Sequence, residues 1–100
     1  MVELMIRAAR VDRNQPEIVK AFRSFGWYVL IVSQLKNCCD IIASKGGRTI
    51  CVEIKDGLKP PSGQKLTSGE LKFQSEWQGE YRIINCIDDV IKLNEALTVK

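Results

Sequence analysis

Histidine is absent from this 100-residue sequence. His-based triads and the commonest general base are therefore excluded, and any catalysis must rest on carboxylates, lysine, cysteine or a metal ion. No apolar run approaches the ~20 residues that a membrane-spanning helix needs. The longest, Trp27 to Val32, is strand-sized. A signal-peptide core is not expected either, because Glu3 and Arg7 interrupt the early apolar residues, and the sequence reads as that of a cytoplasmic protein with no membrane partner. The four cysteines lack the paired spacings of a zinc site: Cys38 and Cys39 are adjacent, while Cys51 and Cys86 stand alone. Adjacent cysteines also lack the two-residue spacing of a redox motif. In a reducing compartment they are best read as small apolar side chains.

The residues that are present describe an ordinary globular domain. Apolar residues make up 45% and charged residues 27%, enough for one packed core in a chain of single-domain size. The formal charge of +3 suits a polyanionic partner without requiring one. Asn14-Gln15-Pro16 reads as a helix start, with Asn14 or Gln15 capping and Pro16 in the first turn. Ile18, Val19, Phe22 and Phe25 follow at helical spacing before the stop at Gly26.

Trp27 to Val32 is rich in β-formers and is expected to be a strand buried on both faces. Asp40 to Ala43 and Thr49 to Lys55 are expected to pair as a hairpin about the Gly46-Gly47 turn. A turn-rich connection from Asp56 to Leu66 leads to Thr67 and Glu70, whose spacing makes a capping box for a helix carrying Leu71, Phe73 and Trp77 and ended by Gly79. Tyr81 to Asn85 reads as a fourth strand, and Ile87, Val90, Ile91 and Leu97 as an amphipathic closing helix. The fold class is α/β, in the order α-β-β-β-α-β-α, with a mixed four-stranded sheet flanked by helices on both faces.

The pattern with the most chemical content is Asp40, twelve intervening residues, then Glu53-Ile54-Lys55. Alternation along the third strand puts Glu53 and Lys55 on one face, and the hairpin lets Asp40 and Glu53 converge across the ladder. Mg²⁺ takes hard oxygen ligands, commonly one or two carboxylates, and the backbone carbonyl of Ile54 can add a third oxygen. Lys55 can orient or help deprotonate the attacking water and neutralise charge developing on a phosphate. On this reading both carboxylates serve a metal and not packing. The bland alternative is a cross-strand pair of exposed charges, because an acid-X-Lys triplet arises by chance roughly once per hundred residues.

Context favours the chemistry. An acid, a spacer and Glu-X-Lys on a hairpin, preceded by a helix bearing a glutamate and followed by another helix, resembles the PD-(D/E)XK nuclease superfamily. More narrowly, Arg13-Asn14-Gln15 with Glu17-Ile18-Val19, Glu53-Ile54-Lys55-Asp56-Gly57 with Lys59-Pro60-Pro61, then Leu66-Thr67, Glu70 and Glu76-Trp77 resemble the VRR-NUC family, a likeness running from about Arg13 to Leu97. The resemblance implies a restriction-endonuclease-like core and a Mg²⁺- or Mn²⁺-dependent nuclease in which Asp40 and Glu53 bind metal and Lys55 completes the triplet. It also implies that Glu17 contributes through a water or a second metal; the alternative for Glu17 is compensation of the helix dipole. Cys39 stands where the superfamily has its naming proline.

Lys59 and Lys65 flank the loop beside the site, where they can contact DNA phosphates or simply be loop lysines. Gln74, one turn beyond Glu70, is a candidate DNA contact or a solvated helix residue. Trp27 and Trp77 can stack bases but are more simply core residues. By resemblance the substrate is DNA, branched or flapped, cut by a homodimer that offers two sites on one basic face. The competing class is a non-catalytic DNA-binding module of the same fold.

Overall fold

A computed structural model describes residues 12–98 of the chain. Glu3, Arg7 and the side chain of Leu97, which entered the sequence reading, lie outside the described residues. Helix α1 spans Gln15–Ser24, strand β1 Tyr28–Ile31, β2 Ile41–Lys45 and β3 Arg48–Ile54. A short 3₁₀ turn at Pro61–Gln64 precedes α2 (Ser68–Glu76), β4 (Glu80–Ile84) and α3 (Ile87–Thr98). The sheet order is β1-β2-β3-β4, antiparallel across the first three strands and parallel between β3 and β4. This is the mixed four-stranded sheet with the element order expected from the sequence.

Pro16 opens α1 as anticipated, but neither expected cap operates there. Asn14 makes no side-chain cap. Its Nδ2 donates instead to the Lys55 carbonyl at 3.1 Å and the Asn85 carbonyl at 3.0 Å, tying the start of α1 to the ends of β3 and β4. Gln15 turns inward and donates to Ser33 Oγ at 3.2 Å. Removing the Asn14 amide takes the donor from the partly buried Lys55 carbonyl and leaves the Asn85 carbonyl with the Gly57 N–H at 3.1 Å, so Asn14→Ala is expected to cost about 1–3 kcal/mol. Thermal melts should fall by roughly 4–8 °C for each kcal/mol lost.

The hairpin turn is built by two glycines with positive φ, Gly46 at 59° and Gly47 at 83°, the backbone a two-residue type I′ loop requires. This fixes Lys45 opposite Arg48 and Ile41 opposite Val52. Ile50, Val52 and Ile54 consequently face one side with Ile41, Ala43, Val29 and Ile84. Ile18, Val19 and Phe22 of α1 and Val90 and Leu93 of α3 close over them, each fully buried large side chain contributing about 1.5–3 kcal/mol. Trp27 belongs to this core, edge-on to Phe22 with centroids 5.4 Å apart.

Two expectations are corrected on the opposite face. Strand β1 is an edge strand and is not buried on both sides: Val29 is buried, while Tyr28 is 69% and Leu30 46% exposed, since α1 and α3 pack on the same face of the sheet. Trp77 is not core either. It is 37% exposed, stacks on Phe73 and donates to the Glu80 carbonyl at 3.0 Å. Helix α2 meets the second face through Phe73, whose ring lies 6.1 Å from that of Tyr81.

Candidate active site

Asp40 immediately precedes β2 and continues its register, its N–H donating to the Val52 carbonyl at 3.0 Å and its carbonyl accepting from Val32 at 2.9 Å. That places it across from Glu53. Lys55 follows β3, its N–H bonded to the Ile84 carbonyl at 3.0 Å. Because the intervening peptide is trans, the Ile54 carbonyl points away from β4, toward the strand that carries Asp40. The two carboxylates and the carbonyl named from the sequence thus share one corner of the sheet.

The electrostatics of that corner are severe. Glu53 is 3% exposed, and burial, followed by the charge of Asp40 and contacts with Glu70, pushes its carboxyl up to about 10. It is therefore protonated at neutral pH and shares hydrogen bonds with both neighbouring acids. Burial also raises the Asp40 carboxyl, opposed by the N–H of Ile54, which donates to Asp40 Oδ2 at 2.7 Å. Asp40 is thus spent in part on holding β3, contrary to the reading that it serves metal alone.

Lys55 is 8% exposed. Its Nζ lies 4.0 Å from Glu53 and 2.8 Å from Glu70. Burial acts to lower the lysine, but the bond to Glu70 and the surrounding acids hold it above its ordinary value. Glu70 shows the complementary shift: burial raises it, but bonds from Glu53, Lys55 and the Thr67 N–H leave it below the usual carboxylate range.

Asp40, Lys55 and Glu70 line a cleft of ≈ 900 Å³ with Lys36, Lys59 and Lys65 around them, while the buried Glu53 is not among its lining residues. Lys59 faces Asp12 at 3.5 Å. Glu17 is exposed in the first turn of α1 and Gln74 is exposed on α2; neither is among the residues lining the cleft. A smaller cavity of ≈ 260 Å³, lined by Arg82, Asp89 and Lys92 among others, lies between β4 and α3 away from the acids.

Four participants were not singled out from the sequence as site residues. Lys36 and Asp12 carry no local signature. Glu70 enters the sequence reading as a capping residue and as part of the VRR-NUC resemblance, with no role at the site. Tyr81, whose hydroxyl is buried without a partner, is raised above its ordinary range by burial and then by Glu53 and Glu70; its place on β4 opposite Cys51 of β3 follows from a parallel pairing that the sequence does not specify. Cys39 and Cys51 are buried and free, and burial pushes both thiols up. They behave as the small apolar residues expected of them.

The donor set fits a hard divalent cation. Two adjoining carboxylates, one kept neutral by burial and by the charge of the other, are groups whose ionisation such an ion would favour. Among the described residues no group of three or more His, Cys, Asp and Glu side chains forms a ready metal cage. A cation here would rest on Asp40, Glu53, the Ile54 carbonyl and water, the open arrangement magnesium commonly takes. Comparison with protein-family models, curated proteins and solved structures finds no match.

Proposed function

We propose that this protein is a Mg²⁺- or Mn²⁺-dependent endonuclease with a restriction-endonuclease-like core, hydrolysing DNA phosphodiester bonds with selectivity for branched or flapped substrates. The observation that carries the reading is the meeting of Asp40, Glu53 and Lys55 beside a lysine-bordered cleft, with Lys55 Nζ 4.0 Å from Glu53. The resemblance of the same residues to the VRR-NUC pattern supports it.

In this mechanism Asp40, Glu53 and the Ile54 carbonyl would hold the cation. Such an ion would supply Lewis acidity toward the scissile phosphate and toward the attacking water. To serve as a ligand Glu53 would have to be ionised, its proton passing to solvent. Lys55 faces the charge that builds on the phosphate oxygens, where a preplaced ammonium lowers the barrier without reorganising. Lys36, Lys59 and Lys65 hold flanking phosphates and make affinity fall with salt.

A panel of labelled linear, nicked, flapped and four-way-junction DNAs, with magnesium, manganese or chelator, tests this function. Cleavage is expected with either metal and strongest on branched DNA. Binding without cutting on every substrate would leave the non-catalytic module of the same fold, and cutting that survives excess chelator would remove the metal. For junctions we propose a two-fold homodimer, since two strands must be incised and each chain offers one site. Light scattering of the DNA complex decides between that dimer and a nicking monomer.

A further inference from the structure

Lysine is a poor catalytic group unless its tip is fixed. Its four-carbon stem carries about 2 kcal/mol of rotamer entropy, and an ammonium displaced by even 1 Å can forfeit about 10²-fold in rate. The backbone of Lys55 is clamped twice, by Ile84 at 3.0 Å on its N–H and by Asn14 at 3.1 Å on its carbonyl. These contacts fix the base of the side chain and leave its tip to be fixed by something else.

Glu53 cannot do this well, because its nearer oxygen is 4.0 Å away. Glu70 Oε1 stands at 2.8 Å. That same oxygen accepts the Thr67 N–H at 2.8 Å, so the carboxylate is itself held by the first turn of α2. The N3 glutamate of a capping box ordinarily reaches back to the N-cap N–H and stays in solvent. Here it does both jobs at once, with only 22% of its side chain exposed, and its lysine partner comes from a different element fifteen residues earlier.

We propose that Glu70 is the positioning residue for Lys55: its carboxylate, held by the backbone N–H of Thr67 at the start of α2, aims the Lys55 ammonium into the cleft. The role rests on the nuclease reading above. Placement of the triplet lysine then depends on the docking of a helix outside the hairpin that carries the triplet, and any shift of the first turn of α2 moves the ammonium.

Two substitutions separate this role from helix capping. Glu70→Gln keeps a side chain able to close the capping box and removes the charge. Thr67→Ala removes the hydroxyl that caps Glu70 N at 3.2 Å but keeps the backbone N–H that holds the Glu70 carboxylate. Lys55 acylation by N-hydroxysuccinimidyl acetate, read by peptide mass spectrometry in chelator, reports the ion pair without any cleavage. In Glu70→Gln it should accelerate at least about threefold, with kcat down roughly tenfold or more and KM changed less than about twofold. Thr67→Ala should lower the melting temperature and leave both readouts near the parent's.

Unchanged Lys55 labelling in Glu70→Gln, or equal effects of the two substitutions, overturns the assignment. A parent that cuts no DNA overturns the proposed function and the catalytic part of this role together, whereas normal cutting by Glu70→Gln overturns the role alone.

Discussion

Glu53→Gln is expected to abolish metal-dependent cleavage, by at least about 10³-fold, while raising the melting temperature measured in chelator. The gain follows from the raised Glu53 carboxyl, near 10 in the folded chain against an ordinary 4.5. Below the ordinary value both states hold the proton and Glu53 contributes its full stability. As pH rises, the unfolded chain releases that proton and the folded chain must keep it, so stability is lost progressively until the folded value is passed. A neutral amide of the same shape has no such loss. The melting-temperature gap between Glu53→Gln and the parent should therefore widen from about pH 5 to about pH 9.

Divalent cation should act the other way. It stabilises the parent by binding the folded state, more at higher pH where the Glu53 proton is more easily displaced, and it should leave Glu53→Gln nearly unmoved. Asp40→Ala makes the contrasting case. Cleavage should also disappear, but the Ile54 N–H loses its 2.7 Å acceptor, at a cost of about 1–3 kcal/mol. Near-parental cleavage by either variant would remove both carboxylates from the proposed site. A flat melting profile with pH would remove the argument for a neutral Glu53.

Lys55→Ala is expected to slow cleavage by about 10²–10³-fold and to weaken DNA binding less than about fivefold, because a cation facing developing charge acts mainly in the transition state. Its loss also leaves Glu70, Asp40 and Glu53 facing one another without the ammonium 2.8 Å from Glu70. The variant should melt lower than the parent in chelator and recover part of that loss with magnesium. Lys55→Arg should restore stability better than rate, since a planar guanidinium keeps the charge but cannot place it at the same point. Single-turnover rates and equilibrium binding on one substrate measure the split, and equal losses in both would make Lys55 a phosphate anchor.

Local rules account for much of what could be read in advance. Two glycines suited to positive φ set the hairpin; alternation along β3 put Glu53 and Lys55 on one side; Thr67 and Glu70 form the capping box that their spacing implies. Each depends on neighbours within a few residues, so the sequence states it directly. The same rules erred where a partner element decides the outcome. The apolar composition of β1 suggested burial on both faces, but α1 and α3 share one face and leave Tyr28 and Leu30 exposed. Asn14 is a good capping residue that found two carbonyls from distant strands instead.

The triplet and its opposing aspartate are therefore legible in the sequence because a tight hairpin converts spacing into contact. The acid that joins them is not. Glu70 reaches Lys55 because the chain crosses from β3 through α2 to a parallel β4, and the seating of that crossover depends on contacts between residues far apart in the chain. Glu17, which the resemblance named as a site residue, is exposed in the first turn of α1 and off the cleft lining. Side-chain type and local register belong to the sequence; which charges are buried together, and so which carboxyl keeps its proton, was decided by tertiary packing, because desolvation depends on everything that surrounds a group and not on its neighbours along the chain.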